Sequence, residues 1–420
     1  MAKARKTSAR TSPSADAFPF ASARAALLDW FKAHGRALPW RVDPTPYRVW
    51  VSEIMLQQTT TQTVERYFDR FLARFPVLKS VADADEEELL KYWEGLGYYR
   101  RAKSMRAAAI QLVQARLVDL PDDYDALARL PGVGRYVAGA VLSFGFDRRA
   151  AILEANTTRL HARLLALRES TDAASAQAAL WRFALDWLPE TASAPGTYRA
   201  LNSALMDLGR TVCAPKSPAC LACPLRDVCR AAALNLQDAL PVKKERIAPI
   251  PRRDVAFWIP RADLRLRVES EDARLASPDA VLLVKRAKGA LWSGLWDFPR
   301  FEDVDRANLA SPLAEALRRF LVDDVQAAPS VVYAPGETVA VLKHSVTKYR
   351  VTLELKRLAA SPASTKSRKA KTSDVASPAC EASKFEAIRW VSVEELQNYP
   401  LSSTGRKLAA FVASQREGIG

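Results

Sequence analysis

The chain has 420 residues, 49% of them hydrophobic, which is enough for more than one buried core, so two domains are expected. Its 62 Lys and Arg outnumber 47 Asp and Glu for a net charge of +15, a balance that suits a polyanionic partner such as nucleic acid. No stretch approaches the roughly 18 consecutive apolar residues of a membrane span. Five cysteines, an odd number, disfavour a disulfide framework.

The opening MAKARKTSARTSPSADAF is basic, Ser/Ala-rich and without an apolar core, so residues 1–20 read as a disordered arm rather than a signal peptide. From Ala21 to Phe31 apolar positions recur at helical spacing, and LPW at 38–40 is expected to end that element. A second helical pattern starts near Tyr47 and runs through VWVSEIMLQQTT. Further amphipathic stretches cover 62–75, 85–93, 99–114, 123–129, 135–145, 154–167, 176–187 and 198–209. Convincing alternating strands are absent from the first 230 residues, so an all-helical domain is predicted over 21–235, with turns at Pro76, Gly97, Pro121 and Pro131-Gly132.

Near the end of this domain Cys213, Cys220, Cys223 and Cys229 follow the spacing C-x6-C-x2-C-x5-C. The short, polar, Pro-interrupted segment between them cannot bury much and needs a staple. Four thiolates suit zinc or a [4Fe-4S] cluster, and the chemistry of the residues does not choose between the two. Arg210, Lys216, Arg226 and Arg230 flank the knuckle as candidate phosphate contacts.

Residues 236–253, charged and Pro-interrupted, read as a linker. Beyond them β-like runs at Val255–Ile259, Val281–Val284, Thr338–Leu342 and Tyr349–Leu355 mix with helical stretches near 313–321, 392–397 and 405–413. An α+β domain is therefore predicted over 254–420. Residues 360–382 are low-complexity and basic and read as a mobile insertion, which would leave Cys380 a free thiol without a role.

Leu130-Pro-Gly-Val-Gly134 separates two helical patterns. Glycines at 132 and 134 permit positive φ and clear the approach to the next helix's N-terminus, where backbone N–H groups, with Arg135 beside them, can meet a phosphate. This is the chemistry of a helix-hairpin-helix clamp on DNA.

With this turn in place, LPWR at 38–41, PYRVWVSEIMLQQTT at 46–60, WEGLGYYRRA at 93–102, LPGVGRYVAGAV at 130–141, NSALMDLGRTVC at 202–213 and the cysteine knuckle together resemble the helix-hairpin-helix DNA glycosylases, and among them the MutY family of adenine DNA glycosylases. VLLVKRAKGALWSGLWDFPRFE at 281–302 resembles that family's nudix-like 8-oxoguanine recognition domain. The resemblance covers roughly 20–235 and 253–415. It implies a mainly α protein, a helix-hairpin-helix glycosylase domain with a terminal [4Fe-4S] cluster followed by an α+β nudix-like domain. It also implies a monomer acting on duplex DNA with A:8-oxoG or A:G mismatches. No membrane association is expected, and in a bacterium the protein would be cytoplasmic and nucleoid-associated.

Excising adenine calls for an acid near the base and a carboxylate near the sugar. Glu53, in the apolar VWVSEIMLQQ, is expected to stay protonated through burial, and the resemblance makes it the acid that protonates adenine N7. Glu154, in AILEANTTRL, falls where the family carries a catalytic Asp, the residue that stabilises positive charge on the deoxyribose. Being one methylene longer, its carboxylate must retract or the backbone must shift by roughly 1 Å. Asn156 is expected to cap the helix or orient that carboxylate. Tyr136 stands where glycosylases with lyase activity carry a nucleophilic Lys, so no Schiff base is expected, and the resemblance places it beside the sugar.

Gln57, Gln58 and Tyr98 match positions that enter or flank the DNA stack when a base is flipped. In the second domain the family reads 8-oxoguanine with a segment H-x-F-[ST]-H, here His344-Ser345-Val346-Thr347-Lys348. Thr347 keeps a hydroxyl, while Lys348 offers a fixed charge where the family has His. Two other readings stay open: a glycosylase of shifted base preference, and a lesion-binding repair factor without efficient excision.

Overall fold

A computed structural model describes residues 18–242, 248–267, 277–302, 310–328, 330–362 and 385–417. All but the last three residues of the arm expected over 1–20, most of the insertion expected over 360–382, and Cys380 lie outside them. The chain divides into two compact units. One is built from residues up to Asp83 and from Lys103 to Arg246, the other from Ala84–Ala102 and from Ile247 onward.

The first unit is helical. Its elements are α1 (Phe20–His34), α2 (Pro39–Val42), α3 (Pro46–Leu56), α4 (Thr61–Arg74), α5 (Leu78–Asp83), most of α7 (Arg100–Gln114), α8 (Tyr124–Ala128), α9 (Arg135–Ala140), α10 (Ala155–Leu164), α11 (Ala174–Asp186), α12 (Thr197–Thr211) and α13 (Arg230–Ala233). LPW does not end α1, which stops at His34. Leu38 instead N-caps the separate turn α2, with Pro39 at its first position, where a missing N–H costs nothing. Prolines and hydroxyls punctuate the next helices in the same way. Thr45 caps α3, which opens on Pro46, and Thr60 caps α4. The core joins α1, α10, α11 and α12 through Leu27, Leu160, Leu180, Phe183, Trp187 and Leu205.

Two glycines set close approaches that matter for the site. Gly132, at φ 78°, turns the chain between α8 and α9, and a Cβ there would meet Ser104 Cβ of α7 at 2.7 Å. In α12, a Cβ on Gly209 would come within 2.8 Å of the Asn156 carbonyl oxygen, so the glycine seats α12 against the first turn of α10. Gly134 differs from expectation. Its φ is −94°, a conformation open to any residue, and what its missing side chain supplies is empty space at the exposed start of α9. The helix expected over 135–145 is α-helical only to Ala140 and continues as a π-turn over Val141–Gly145.

The second unit contains α6 (Glu86–Trp93), the turn that follows it, and an α+β fold. Its strands are β1 (Ile250–Trp258), β2 (Val281–Arg286), β3 (Trp296–Asp297), β4 (Arg300–Phe301), β5 (Val331–Val346), β6 (Tyr349–Pro362) and β7 (Phe385–Val391), with α14 (Ala310–Arg319) and α15 (Ser403–Glu417). β1 starts inside the stretch read as linker. One sheet runs β4-β1-β6-β5, with β1 and β6 parallel; the other is antiparallel, in the order β3-β2-β7. Alternate residues of β1 and β2 feed two cores. Val255, Phe257, Leu282 and Val284 join Leu317 and Phe320, while Ala256, Val281 and Leu283 join Trp296, Leu401 and Leu408.

Candidate active site

In the first unit a cavity of about 660 Å³ is lined by Glu53, Gln57 and Gln58 from the end of α3, Tyr136 from α9 and Glu154 at the start of α10. α3 is buried over most of its length, and Glu53 is 3% exposed. Desolvation pushes its carboxyl up to about 7, against the opposing pull of the Tyr136 hydrogen bond and Arg41. Tyr136 donates its phenol to Glu53 Oε2 at 2.8 Å. Burial, and then the two neighbouring carboxylates, hold that phenol well above the usual tyrosine range.

Glu154 folds back on its own helix as the N-cap of α10. Oε1 accepts the Thr157 N–H at 2.9 Å, Oε2 accepts the Asn156 N–H at 2.9 Å and Asn156 Nδ2 at 3.0 Å, and Thr157 Oγ1 accepts the Glu154 N–H at 2.9 Å. Burial raises its pKa, and the capping bonds work against that rise. Glu154 is thus both the cap and a wall of the cavity, and Asn156 orients it. Asn156 Oδ1 in turn accepts from Arg159 Nη2 at 2.9 Å, and Arg159 Nε donates to the Cys213 carbonyl at 2.8 Å.

Three polar residues that the sequence reading did not select as site residues also face the cavity. Asp207, 1% exposed on α12, accepts from Arg41 Nη1 at 2.7 Å and Nη2 at 3.2 Å, and from Arg36 Nη2 at 3.3 Å. Burial pushes its carboxyl up, but Arg41 and Arg36 outweigh it and hold the group below the usual carboxylate range. The signal was present: a lone acid among the apolar positions of NSALMDLG, and a basic residue directly after LPW. Arg210, expected at the knuckle, lines this cavity and donates to Thr61 Oγ1.

A family model described as HhH-GPD superfamily base excision DNA repair protein matches residues 51–184, and one described as NUDIX domain matches residues 274–410. An adenine DNA glycosylase from Buchnera aphidicola subsp. Baizongia pistaciae is 32% identical over 276 residues, covering 66% of this chain and 72% of that protein. The one from Mus musculus is 30% identical over 437 residues, covering 94% of this chain and 78% of that protein. The Rattus norvegicus enzyme is 29% identical, with 93% and 78% covered.

This chain belongs to the adenine DNA glycosylase family. The resemblance read from the motifs therefore holds, as does the fold it implied, a helix-hairpin-helix domain followed by a nudix-like one. Among the described residues no helix is long and apolar enough to cross a membrane.

The remaining positions singled out for the glycosylase function fall into separate groups. Gln58 and Tyr98 both sit in the left-handed region, at φ 57° and 45°, and both are exposed. Arg135 is exposed, with its guanidinium 3.8 Å from the centroid of the Trp181 ring. Residues 344–348 do not present one face. His344 to Val346 end β5, and Thr347 and Lys348 form the two-residue turn of the β5–β6 hairpin, where Val346 pairs with Tyr349. Ser345, Thr347 and Lys348 are exposed toward that tip. Thr347 has φ 49°, a strained value in a turn position that favours glycine. His344 turns the other way, 3.5 Å from Arg300 Nη2 through Nε2, and burial together with Arg300 pushes its pKa down to about 4.

All four knuckle cysteines are unpaired and line a single small cavity with Arg163 and Arg226. Arg163 Nη1 donates to Cys213 Sγ at 3.2 Å and to the Ala214 carbonyl at 2.8 Å. Among the described residues no three His, Cys, Asp or Glu side chains are placed to hold a single metal ion.

Proposed function

We propose that this chain is a monofunctional glycosylase that hydrolyses the N-glycosidic bond of adenine mispaired with 8-oxoguanine or guanine in duplex DNA. The observation that carries the reading is one cavity holding a buried acid poised near neutrality, Glu53, and a second carboxylate, Glu154, fixed by three donors. Adenine leaves poorly as an anion. With Tyr136 occupying Glu53 Oε2, the other oxygen is left to carry the proton toward N7 of a flipped base. As the bond from C1′ to the base breaks, its electron pair goes to adenine and the sugar gains positive charge, which the Glu154 carboxylate stabilises. Water then adds to C1′ and gives up a proton to the Glu53 carboxylate, restoring the acid. No lysine stands at position 136, so the step that would form a Schiff base has no amine there.

In this reading Asp207 and Arg41 present paired acceptor and donor groups to the base, Gln57, Gln58 and Tyr98 fill and flank the space it vacates, and Gly132, Gly134 and Arg135 approach the phosphate backbone. Ser345, Thr347 and Lys348, at one hairpin tip, meet the 8-oxoguanine strand. Duplex DNA as substrate puts the protein at the chromosome, in the nucleoid of a bacterial cell.

The knuckle would hold one [4Fe-4S] cluster through Cys213, Cys220, Cys223 and Cys229. Four thiols around a shared cavity supply the all-sulfur donor set such a cluster needs, and Arg163 offers charge to its sulfurs. Hydrolysis moves no electrons, so the cluster's contribution is structural. Purified protein should be brown, absorb near 400 nm and carry about four irons per chain; one zinc per chain would contradict the assignment.

Single-turnover assays on duplexes with A:8-oxoG, A:G, A:C and T:G test the substrate. Adenine release confined to the first two is expected. Tight binding without release from any of them would contradict the proposal.

A further inference from the structure

Tyr98 is presented by a short turn that cannot hold its own shape. Gly95 has φ 99°, Gly97 φ 68° and Tyr98 itself φ 45°. Two glycines in a six-residue link have wide backbone freedom. A tyrosine held left-handed costs on the order of 1–3 kcal/mol and persists only where its surroundings over-determine it. Part of the restraint is local: Trp93 Nε1 donates to the Gly97 carbonyl at 3.2 Å, and Arg101 Nη2 to the Leu96 and Gly97 carbonyls at 3.0 and 3.1 Å.

Further restraint comes from the C-terminal part of the same unit. At the turn's start, Glu94 takes both arms of the Arg406 guanidinium, Nε to Oε1 at 2.5 Å and Nη2 to Oε2 at 2.8 Å, with the two side chains 18% and 30% exposed. Arg406 spends further donors on the Leu396 and Tyr399 carbonyls, at 2.8 and 2.7 Å. At the turn's end, Tyr99, 6% exposed, donates its phenol to the Leu401 carbonyl at 3.0 Å. Behind these ties, Trp296 of β3 bridges to Leu401 and donates its backbone N–H to the Pro400 carbonyl at 3.0 Å, so residues 396–406 are continuous with the β3-β2-β7 sheet. A third tie lies about two turns back, where Glu87 of α6 accepts from Lys285 of β2 at 2.7 Å and from Trp296 Nε1 at 3.3 Å.

We infer that Glu94, Tyr99 and Arg406 are positioning residues for Tyr98: residues 396–406 of the nudix-like domain hold the turn at both ends and so set how its ring enters the DNA stack. This rests on the reading of Tyr98 as a stack-entering residue. Bidentate ion pairing gives the geometric precision required, and a displacement of about 1 Å in a positioned group can cost up to two orders of magnitude in rate. The nudix-like domain then acts on the flipping step through protein contacts as well as by touching the lesion strand.

The test uses the full chain and a duplex carrying A opposite 8-oxoguanine with 2-aminopurine beside the 8-oxoguanine, whose fluorescence rises when its stacking is broken. Glu94→Gln combined with Tyr99→Phe keeps both side-chain shapes and leaves Arg406 its carbonyl partners. We expect this variant to keep its iron content and to lose no more than a few degrees of melting temperature. It should lose at least about half of the fluorescence rise and slow single-turnover release roughly tenfold, with the pH position of the rate's alkaline limb unchanged. Tyr98→Ala should lose the rise entirely. A double variant equal to wild type in rise and rate, beside a defective Tyr98→Ala, would overturn the inference and leave the reading of Tyr98 standing. An unaltered rise in Tyr98→Ala would overturn that reading and the inference with it.

Discussion

Tyr136 and Glu53 meet through one short hydrogen bond, phenol to Oε2 at 2.8 Å, inside the cavity that also holds Glu154. The bond favours the charged form of Glu53 and so opposes the desolvation that raises its pKa to about 7. The ionisation of Glu53 is thus set by opposing influences, and each can be removed separately.

The rate should follow the protonated fraction of Glu53. Single-turnover release should be full at mildly acidic pH and fall as pH rises through about 7. In Tyr136→Phe the opposing bond is gone, so the fall should move upward by roughly a unit. A pH profile of the two proteins checks the sign; a shift downward would mean that Tyr136 acts otherwise.

Asp207→Asn should move the same limb the other way. Its carboxylate now neutralises Arg41, whose charge already lowers the Glu53 pKa. With Asp207 neutral, more of that charge reaches Glu53, and the limb should shift to lower pH. Because two arginines lose a buried partner, a stability loss of roughly 2–4 kcal/mol should accompany it, read by chemical denaturation.

Glu53→Gln should abolish release while keeping duplex binding. It should also stabilise the fold. The unfolded carboxyl ionises near its ordinary value of 4.5 and the folded one near 7, so wild-type stability falls between those two pH values and is flat above them. Gln carries no such cost, and the variant should exceed wild type by on the order of 3 kcal/mol above pH 7 and match it below about pH 4. Denaturant melts at the two extremes provide the comparison.

For Glu154 the two conservative changes should separate its roles. Asp at an N-cap still reaches the N–H groups two and three residues on, so Glu154→Asp should retain stability and keep activity within about tenfold. Glu154→Gln places an amide against the Asn156 donors that now meet a carboxylate. It should lose about 1 kcal/mol of capping and at least roughly a hundredfold in rate.

The burial of Glu53 was legible in the sequence because its signal is local: one Glu in an apolar helix announces burial, and burial raises its pKa. Glu154 stood out in the sequence by its place in AILEANTTRL, but the capping geometry that fixes its carboxylate depends on Asn156 and Thr157 adopting helical positions. Asp207 and Arg41 pair across 166 residues, a separation at which periodicity carries no information. His344 was grouped with Ser345, Thr347 and Lys348 by motif, but alternation along β5 puts neighbouring residues on opposite faces, and it points toward Arg300. Residues 84–102 read as ordinary helix and turn, and nothing in their pattern shows that they would cluster with strands 200 residues on; the tie through Glu94 and Arg406 spans 312 residues.

The most direct test of the central claim combines base release with strand integrity. Enzyme in excess is mixed with an end-labelled duplex bearing one A opposite 8-oxoguanine, and samples are resolved with and without hot alkali. Glu53 acid catalysis with Tyr136 in place of a lysine predicts free adenine in a single turnover, strand breaks only after alkali, and neither product from Glu53→Gln. Strand cleavage without alkali, or adenine release by Glu53→Gln at the wild-type rate, would contradict it.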